Sequence, residues 1–269
     1  MIAGNVPEKI LAIARRDLLT AFRTRSAPAM NGAAALLQLA AFYYLAQAIG
    51  SGFRPAGFEY FPFVLIGTGL YTFLIAGINA FLQTIKEAQQ AGTLEVLMAT
   101  STPPRVLVLL SAVSSFGGNS VLFVLYVGMG LLMAKASLSA ISFAGFALIF
   151  LLSVLIAVAL GMLAAALQIA FQKGSAVIWI FGSGAWLLTG TLFPVETLPR
   201  PLRFVAELLP TTHSLNGMRS ALLQGSARFS WISEASILAV FCIVLLPAGW
   251  MLFSAALRHA RLEGSLSYY

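Results

Sequence analysis

The chain of 269 residues is 59% hydrophobic and only 9% charged, and its net charge is +7. Soluble proteins average roughly 25% charged residues, so this composition excludes an ordinary soluble enzyme and indicates a polytopic membrane protein. The basic residues stand beside apolar runs instead of gathering on one polar face, which argues against a nucleic-acid-binding domain. We therefore divide the chain into spans of about 20 residues, of which six fit.

Residues 8–25 are predicted to form an amphipathic helix that lies along the membrane surface. Apolar residues recur at every fourth position from Ile10 to Phe22, while the arginines fall largely on other faces. A charged anchor before the first span is the alternative interpretation. The arginines that we assign to this interface helix are Arg15, Arg16 and Arg23.

The first two spans are predicted at residues 30–49 and 60–84. The connection between them is short and holds Arg54 and Pro55, and a connection of this length makes the two helices antiparallel neighbours.

A polar and amphipathic segment at residues 86–100 follows the second span. Because charged residues are scarce in this chain, Lys86, Glu87 and Glu95 must lie in water, between segments that lie in lipid. Pro103 and Pro104 end any helix here, because a proline disfavours helical geometry in the residue before it.

Three further spans are predicted at residues 106–133, 143–171 and 176–191. Residues 192–230 differ, because they contain four prolines and apolar runs that are too short to cross a bilayer but too apolar for a free loop. We expect this segment to re-enter the membrane or to lie on it. The last span is predicted at residues 232–257.

The basic residues predict which way the chain is inserted. Six spans place both termini on one side, and positive residues accumulate on the cytoplasmic side. The side of the termini carries more of them, so the termini and residues 86–100 are predicted to be cytoplasmic and residues 192–230 external. That side carries Lys9, Arg15, Arg16, Arg23, Arg25, Lys86, Arg105, Lys173, Arg258 and Arg261, against Arg54, Lys135, Arg200, Arg203, Arg219 and Arg228 on the other.

The sequence offers little material for catalysis. It lacks a Gly-x-x-x-x-Gly-Lys-Ser/Thr phosphate loop, so any nucleotide has to be bound by another chain. Its only histidines, His213 and His259, lie in or beside predicted loops, and we predict no catalytic residue and no metal site. Ionisable residues are missing from deep in the spans, which argues against a proton- or sodium-coupled carrier.

Neutral polar and aromatic side chains do occur in the predicted spans. Each can either join two helices or line a pathway for a substrate, and helix packing is the favoured interpretation. The polar positions are Asn79, Gln83, Asn119, Gln168 and Thr189, and the aromatic ones are Phe73, Trp179 and Trp186.

Two stretches of the sequence resemble the motifs of the permease subunits of the ABC-2 family of ABC exporters. One resembles a cytoplasmic Gly-Thr-Leu-Glu motif with a Thr-Pro tail, and the other resembles an external motif. Both motifs, in this order and around six predicted spans, extend the resemblance over nearly the whole chain. The first is Gly92-Thr93-Leu94-Glu95-Val96-Leu97-Met98-Ala99-Thr100 with Pro103-Pro104; the second is Gly190-Thr191-Leu192-Phe193-Pro194, Leu198-Pro199, Leu209-Pro210-Thr211-Thr212-His213, and Arg219 before Leu222-Leu223-Gln224-Gly225.

The sequence departs from the family pattern just before the Gly-Thr pair. Ala88 and Gln90 replace acidic residues that the family often carries there, which leaves Glu87 and Glu95 as the carboxylates. Ser101 stands where a proline is common.

The resemblance implies an all-α polytopic membrane protein with one permease domain over residues 1–269. The implied fold has six transmembrane helices, an N-terminal interface helix, a cytoplasmic coupling helix between spans 2 and 3, and short external re-entrant helices between spans 5 and 6. It also implies a homodimer, or a pair with a sister permease, in a bacterial-type inner or cell membrane. Two separate ATPase subunits would hold ATP and Mg, so the chain itself carries no cofactor.

The resemblance also implies the kind of cargo, which is a hydrophobic or amphipathic molecule such as a drug, a lipid or a glycan-lipid. It assigns roles to individual residues as well. An ATP-independent channel or carrier, and a scaffold that anchors a cytoplasmic partner, are the alternative functions. The residues implied for coupling to the ATPase are Glu87, Gly92, Thr93, Leu94, Glu95 and Leu97, and those implied for the external gate are Phe193, Pro194, Pro210, His213 and Arg219. The candidate residues for a substrate pathway, in the second and fifth spans, are Phe73, Asn79, Trp179 and Trp186.

Overall fold

The computed structural model describes residues 26–50, 52–90, 104–135, 141–171, 179–224 and 230–263, and all regular secondary structure within these ranges is helical. The α-helices are α1 (Ser26–Ile49), α2 (Tyr60–Gln90), α3 (Pro104–Met133), α4 (Phe143–Phe171), α5 (Ala185–Leu188), α6 (Arg200–Glu207), α7 (Pro210–Leu223) and α8 (Ser230–Glu263).

Several predicted site residues lie outside the described residues. The interface-helix arginines precede α1, and most of the coupling motif falls between α2 and α3. These residues are Arg15, Arg16, Arg23, Gly92, Thr93, Leu94, Glu95 and Leu97.

Four of the described helices, α1, α2, α4 and α8, are long and apolar enough to cross a membrane. In α3 the apolar part runs from Asn119 to Met133 and is shorter. These helices confirm the prediction of a helical membrane protein, and the count of six spans stays a prediction.

Helix α2 is longer than the predicted second span. It continues past residue 84 to Gln90, because Lys86, Glu87 and the residues that follow are good helix formers with no glycine or proline among them. Helix α3 begins at Pro104, where a missing N–H costs nothing. The last helix also extends beyond residue 257, to Glu263.

The end predicted for the fifth span, at residue 191, is wrong. The helix does not reach residue 191: a π-helical turn, Ile180–Gly184, leads into the short α5, which stops at Leu188. Gly190 then adopts a φ of 76°, a left-handed conformation that glycine tolerates best. Thr189 and Thr191 are therefore buried in a turn, with their hydroxyl oxygens 3.1 Å apart.

Helix α2 is the centre of the bundle, and α1, α3, α4 and α7 all pack against it. Of its apolar stretch 78% is buried, against 6% for α1. In the core, Phe73 of α2 contacts Phe116 and Phe123 of α3 and Phe150 of α4, with ring centroids 5.1–5.7 Å apart. Aromatic pairs at such distances stabilise a core by about 0.5–1.5 kcal/mol beyond the area they bury.

The side-chain contacts show how the helices run. Leu65 lies against Gly130 and Phe116 against Gly77, so α2 and α3 are antiparallel. Phe73 lies against Phe150 and Phe81 against Gly161, so α2 and α4 run in the same direction. We call the two ends of the bundle the Tyr60 end and the Gln90 end, after the first and last residues of α2.

Candidate functional site

The segment at residues 189–224 covers the Tyr60 end with short helices that start at prolines. Pro199 precedes α6, and Pro210 is the first residue of α7. The fixed φ of proline suits the first turn of a helix. Helices α6 and α7 form in the segment for which short external re-entrant helices were predicted, and their place relative to the membrane stays a prediction.

Arg219 of α7 is the most constrained side chain of the segment. It is buried, and its Nε donates to the carbonyl oxygen of Phe63 (3.1 Å) while its Nη2 donates to that of Thr191 (3.0 Å). The guanidinium carbon lies 3.5 Å from the centroid of the Phe63 ring, a cation–π contact. A single side chain thus joins α7 to the first turn of α2 and to the turn after α5.

Arg219 forms no ion pair with any carboxylate in the described part of the chain. Burial lowers the pKa of its guanidinium to about 9, which still leaves the group protonated at neutral pH. A buried cation is costly unless its N–H groups are bonded. The two backbone carbonyls and the Phe63 ring therefore decide where Arg219 can lie.

Gly67 of α2 provides the space for this guanidinium. A Cβ atom at this position would lie 2.3 Å from Nη2 of Arg219 and 2.6 Å from the carbonyl oxygen of Thr191. Sequence reasoning named Arg219 but missed Gly67 and Phe63, because nothing in the apolar run of the second span marks the place where a distant side chain enters.

His213, which lies six residues before Arg219 in α7, contacts two other elements. Its Nδ1 lies 2.7 Å from Oε2 of Glu234 in α8, and its Nε2 lies 2.8 Å from the carbonyl oxygen of Glu207 at the end of α6. A neutral imidazole has one N–H, so it cannot donate to both acceptors. The hydrogen bond to Glu234 is the main reason that the pKa of His213 is raised above its ordinary value, although burial opposes it.

The other predicted gate residues shape the chain. The carbonyl oxygen of Pro194 accepts hydrogen bonds from the N–H and the hydroxyl of Thr197 (3.1 and 2.7 Å), and Pro210 is buried. Phe193 is half-buried. The five residues therefore share one segment, but Arg219 contacts α2 whereas His213 contacts α8.

The Gln90 end contains a buried contact that sequence reasoning missed. Nε2 of Gln168 in α4 donates to Oε1 of Gln89 in α2 at 3.3 Å, and both side chains are buried. This contact confirms the packing interpretation of Gln168. Glu87, which lies two residues before Gln89 in α2, is exposed.

The four candidate pathway residues lie in different surroundings. Phe73 is buried in the aromatic core, Asn79 and Trp186 are half-buried, and Trp179 is exposed. In the described ranges no three His, Cys, Asp or Glu side chains come together as a metal site would require.

A bundle of long apolar helices around a central buried helix, closed at one end by short proline-started helices, defines a helical multi-pass membrane protein. Residues 8–223 match the sequence model of the ABC-2 type transporter, so the chain belongs to this family and is an ABC-type transporter permease. Permeases of this family normally pair with ABC ATPase subunits. No curated protein shows significant similarity to the chain.

Proposed function

We propose that this chain is the permease subunit of an ATP-driven exporter. It moves a hydrophobic or amphipathic substrate, such as a drug, a lipid or a glycan-lipid, out of the cytoplasm or the inner leaflet, using ATP hydrolysed by separate subunits. Membership of the ABC-2 family supports the proposal, as does a sequence without its own phosphate loop.

The continuity of α2 is the observation that carries the proposal. This helix has 31 residues, about 46 Å at 1.5 Å per residue, and leads directly into the coupling motif at its Gln90 end. Its first turn carries the Phe63 carbonyl that accepts the Arg219 hydrogen bond. A displacement at the coupling motif would therefore reach the gate through one rigid element.

The gate, in this proposal, is the segment from Phe193 to Leu223. Arg219 attaches α7 both to α2 and to the turn at Thr191, so α2 cannot shift relative to that turn without breaking or rearranging a hydrogen bond of a buried cation. A hydrogen-bonded contact of this kind is either formed or rearranged, with no continuous series of positions in between. A gate that is either open or closed needs such a two-state contact.

The assembly belongs to the same proposal. Two permease copies and two ATPases would form the transporter, with both termini and residues 86–100 in the cytoplasm of a bacterial-type cell. The interface helix at 8–25 and the coupling helix would rest on the ATPases. The slight burial of α1 supports a second copy, because its apolar faces are free to pack against another chain or lipid.

The test is reconstitution in liposomes together with a cognate ABC ATPase. We expect outward movement of a fluorescent phospholipid that requires ATP and stops when the Walker lysine of the ATPase is replaced. Glu95→Ala should reduce transport per ATP hydrolysed while the ATPase still binds, and Glu59→Ala, at an exposed carboxylate of the Tyr60 end that lies outside the gate, should not.

Two results would contradict the proposal. Transport that proceeds without the ATPase would identify a carrier or channel. An ATPase that binds the permease but shows neither transport nor stimulated hydrolysis with any amphipathic substrate would identify a scaffold.

A further inference from the structure

Helices α1, α2 and α3 enclose a groove of about 360 Å³ that opens to the side of the bundle. Its floor contains the rings of Phe73 and Phe123, and its walls are mainly apolar. Small residues of α1 and α2, among them Ala35 and Ala76, keep it open. A concave, mostly apolar site of this size is typical of sites for small molecules.

Three neutral polar side chains line the groove: Gln38 of α1, Thr72 of α2 and Asn119 of α3. Among the described residues none of the three has a hydrogen-bond partner, whereas Thr68 and Thr84, on either side of Thr72 in α2, bond carbonyl oxygens of their own helix at 2.7 and 2.9 Å.

These polar groups lie within the apolar part of the bundle. Gln38 and Thr72 fall inside the stretches of α1 and α2 that could cross a membrane, and Asn119 begins the apolar part of α3. In hydrocarbon a polar group without a partner is unfavourable. The groove therefore has donors and acceptors that an occupant with matching groups would satisfy.

The lining of the groove also decides what kind of occupant fits. Among the residues that the structure describes, no charged side chain lines it, so none of them compensates the desolvation of an ion. The amides of Gln38 and Asn119 both donate and accept, and the Phe73 and Phe123 rings offer flat apolar surfaces.

We propose that this groove binds uncharged amphipathic molecules that combine an apolar ring or chain with a neutral hydrogen-bonding group, such as a hydroxyl, a carbonyl or an amide. This inference rests on the proposed export function, since such a molecule would be the cargo or its close analogue. Of the residues implied for the pathway, only Phe73 belongs to the groove, so the site differs from a path along the second and fifth spans.

The test is photo-crosslinking of the purified full-length permease in detergent, without ATPase and without ATP. The probe is a benzophenone that carries an octyl chain and one hydroxyl group. Two analogues replace the hydroxyl by a carboxylate or a trimethylammonium group. We expect saturable crosslinks of the neutral probe to peptides of α1, α2 and α3 beside the groove, and clearly fewer with either charged analogue.

Paired variants separate the groove from the lipid-facing surface. Ala35→Leu fills the groove, and Ala41→Leu makes the same change at an exposed position of α1 outside it. Gln38→Leu removes a polar partner, and Gln83→Leu is its control on an exposed face of α2. Each groove variant should reduce crosslinking about five- to tenfold, as expected for losing one hydrogen bond or comparable contact, and the controls should leave it unchanged.

Crosslinks that spread over all apolar helices, or that persist in Ala35→Leu, would overturn the proposal. A change of oligomeric state in Ala35→Leu, measured by light scattering, would show instead that a second copy occupies the groove. Binding is measured without ATP, so a failure here leaves the export function standing. Intact binding without ATP-driven transport would contradict the export function alone.

Discussion

Arg219 shows how one side chain can fix the arrangement of three elements. Its two carbonyl acceptors belong to α2 and to the turn after α5, and its position depends on the missing side chain of Gly67. A lysine cannot reproduce these contacts, because it lacks the planar fork with which arginine reaches two acceptors.

Gly67→Ala should displace the Arg219 guanidinium. We expect the free energy of unfolding to fall by about 1.5–3 kcal/mol, the range for a hydrogen bond to a charged group, and transport to fall with it. Thermal unfolding in detergent measures the first effect. Gly128→Ala in α3 is the control, because a Cβ atom there has open space, and its stability should stay equal or rise. An unchanged unfolding temperature in Gly67→Ala would contradict this account of the site.

His213 makes stability depend on pH. Because the folded protein raises the pKa of His213 above 6.5, the stabilisation is fully present below pH 6.5 and is lost as the pH rises through the raised pKa. His213→Gln should abolish this decline, while His259→Gln should keep it. Thermal unfolding followed from pH 6 to pH 9 is the measurement, and an identical decline in His213→Gln and the parent protein would exclude the Glu234 contact as its source.

At the scale of elements, α2 and α4 meet again at the Gln90 end through Gln89 and Gln168. In the proposed transporter, a movement of the coupling motif would start where α2 is already tied to α4. Helix α4 would then move together with α2.

A double-mutant cycle tests this connection. Gln89→Leu and Gln168→Leu should each lower the free energy of unfolding by about 1–3 kcal/mol, because each removes the hydrogen bond between the two buried amides. The double variant should lose less than the sum of the two. Strict additivity would show that the two amides do not stabilise each other.

At the scale of the whole molecule, the topology can be tested with cysteines. The chain has a single cysteine, Cys242, which is buried and can be replaced by alanine. In that background, an impermeant maleimide added to intact cells should label Glu196→Cys at once and Glu87→Cys only after permeabilisation, since both positions are exposed and lie at opposite ends of the bundle. The reverse pattern would place the Gln90 end outside.

The membrane class, the approximate helices and the family can all be predicted from the amino-acid sequence. Each depends on local information: apolar runs of sufficient length, prolines that start or limit helices, and two motifs of adjacent residues. The family match over residues 8–223 confirms the resemblance. The helix propensity of residues 85–90 also accounts for the extension of α2 to Gln90. The prediction ended the span at residue 84 because the sequence changes there from apolar to polar residues.

The contacts between distant residues became visible only in the folded protein. Arg219 and Phe63 are 156 positions apart and Gln89 and Gln168 are 79 apart, so no local pattern predicts either contact. The space at Gly67, the partners of His213 and the groove at Gln38, Thr72 and Asn119 likewise exist only once distant helices pack. Packing, unlike hydropathy or capping, is a property of pairs of surfaces and not of a stretch of chain.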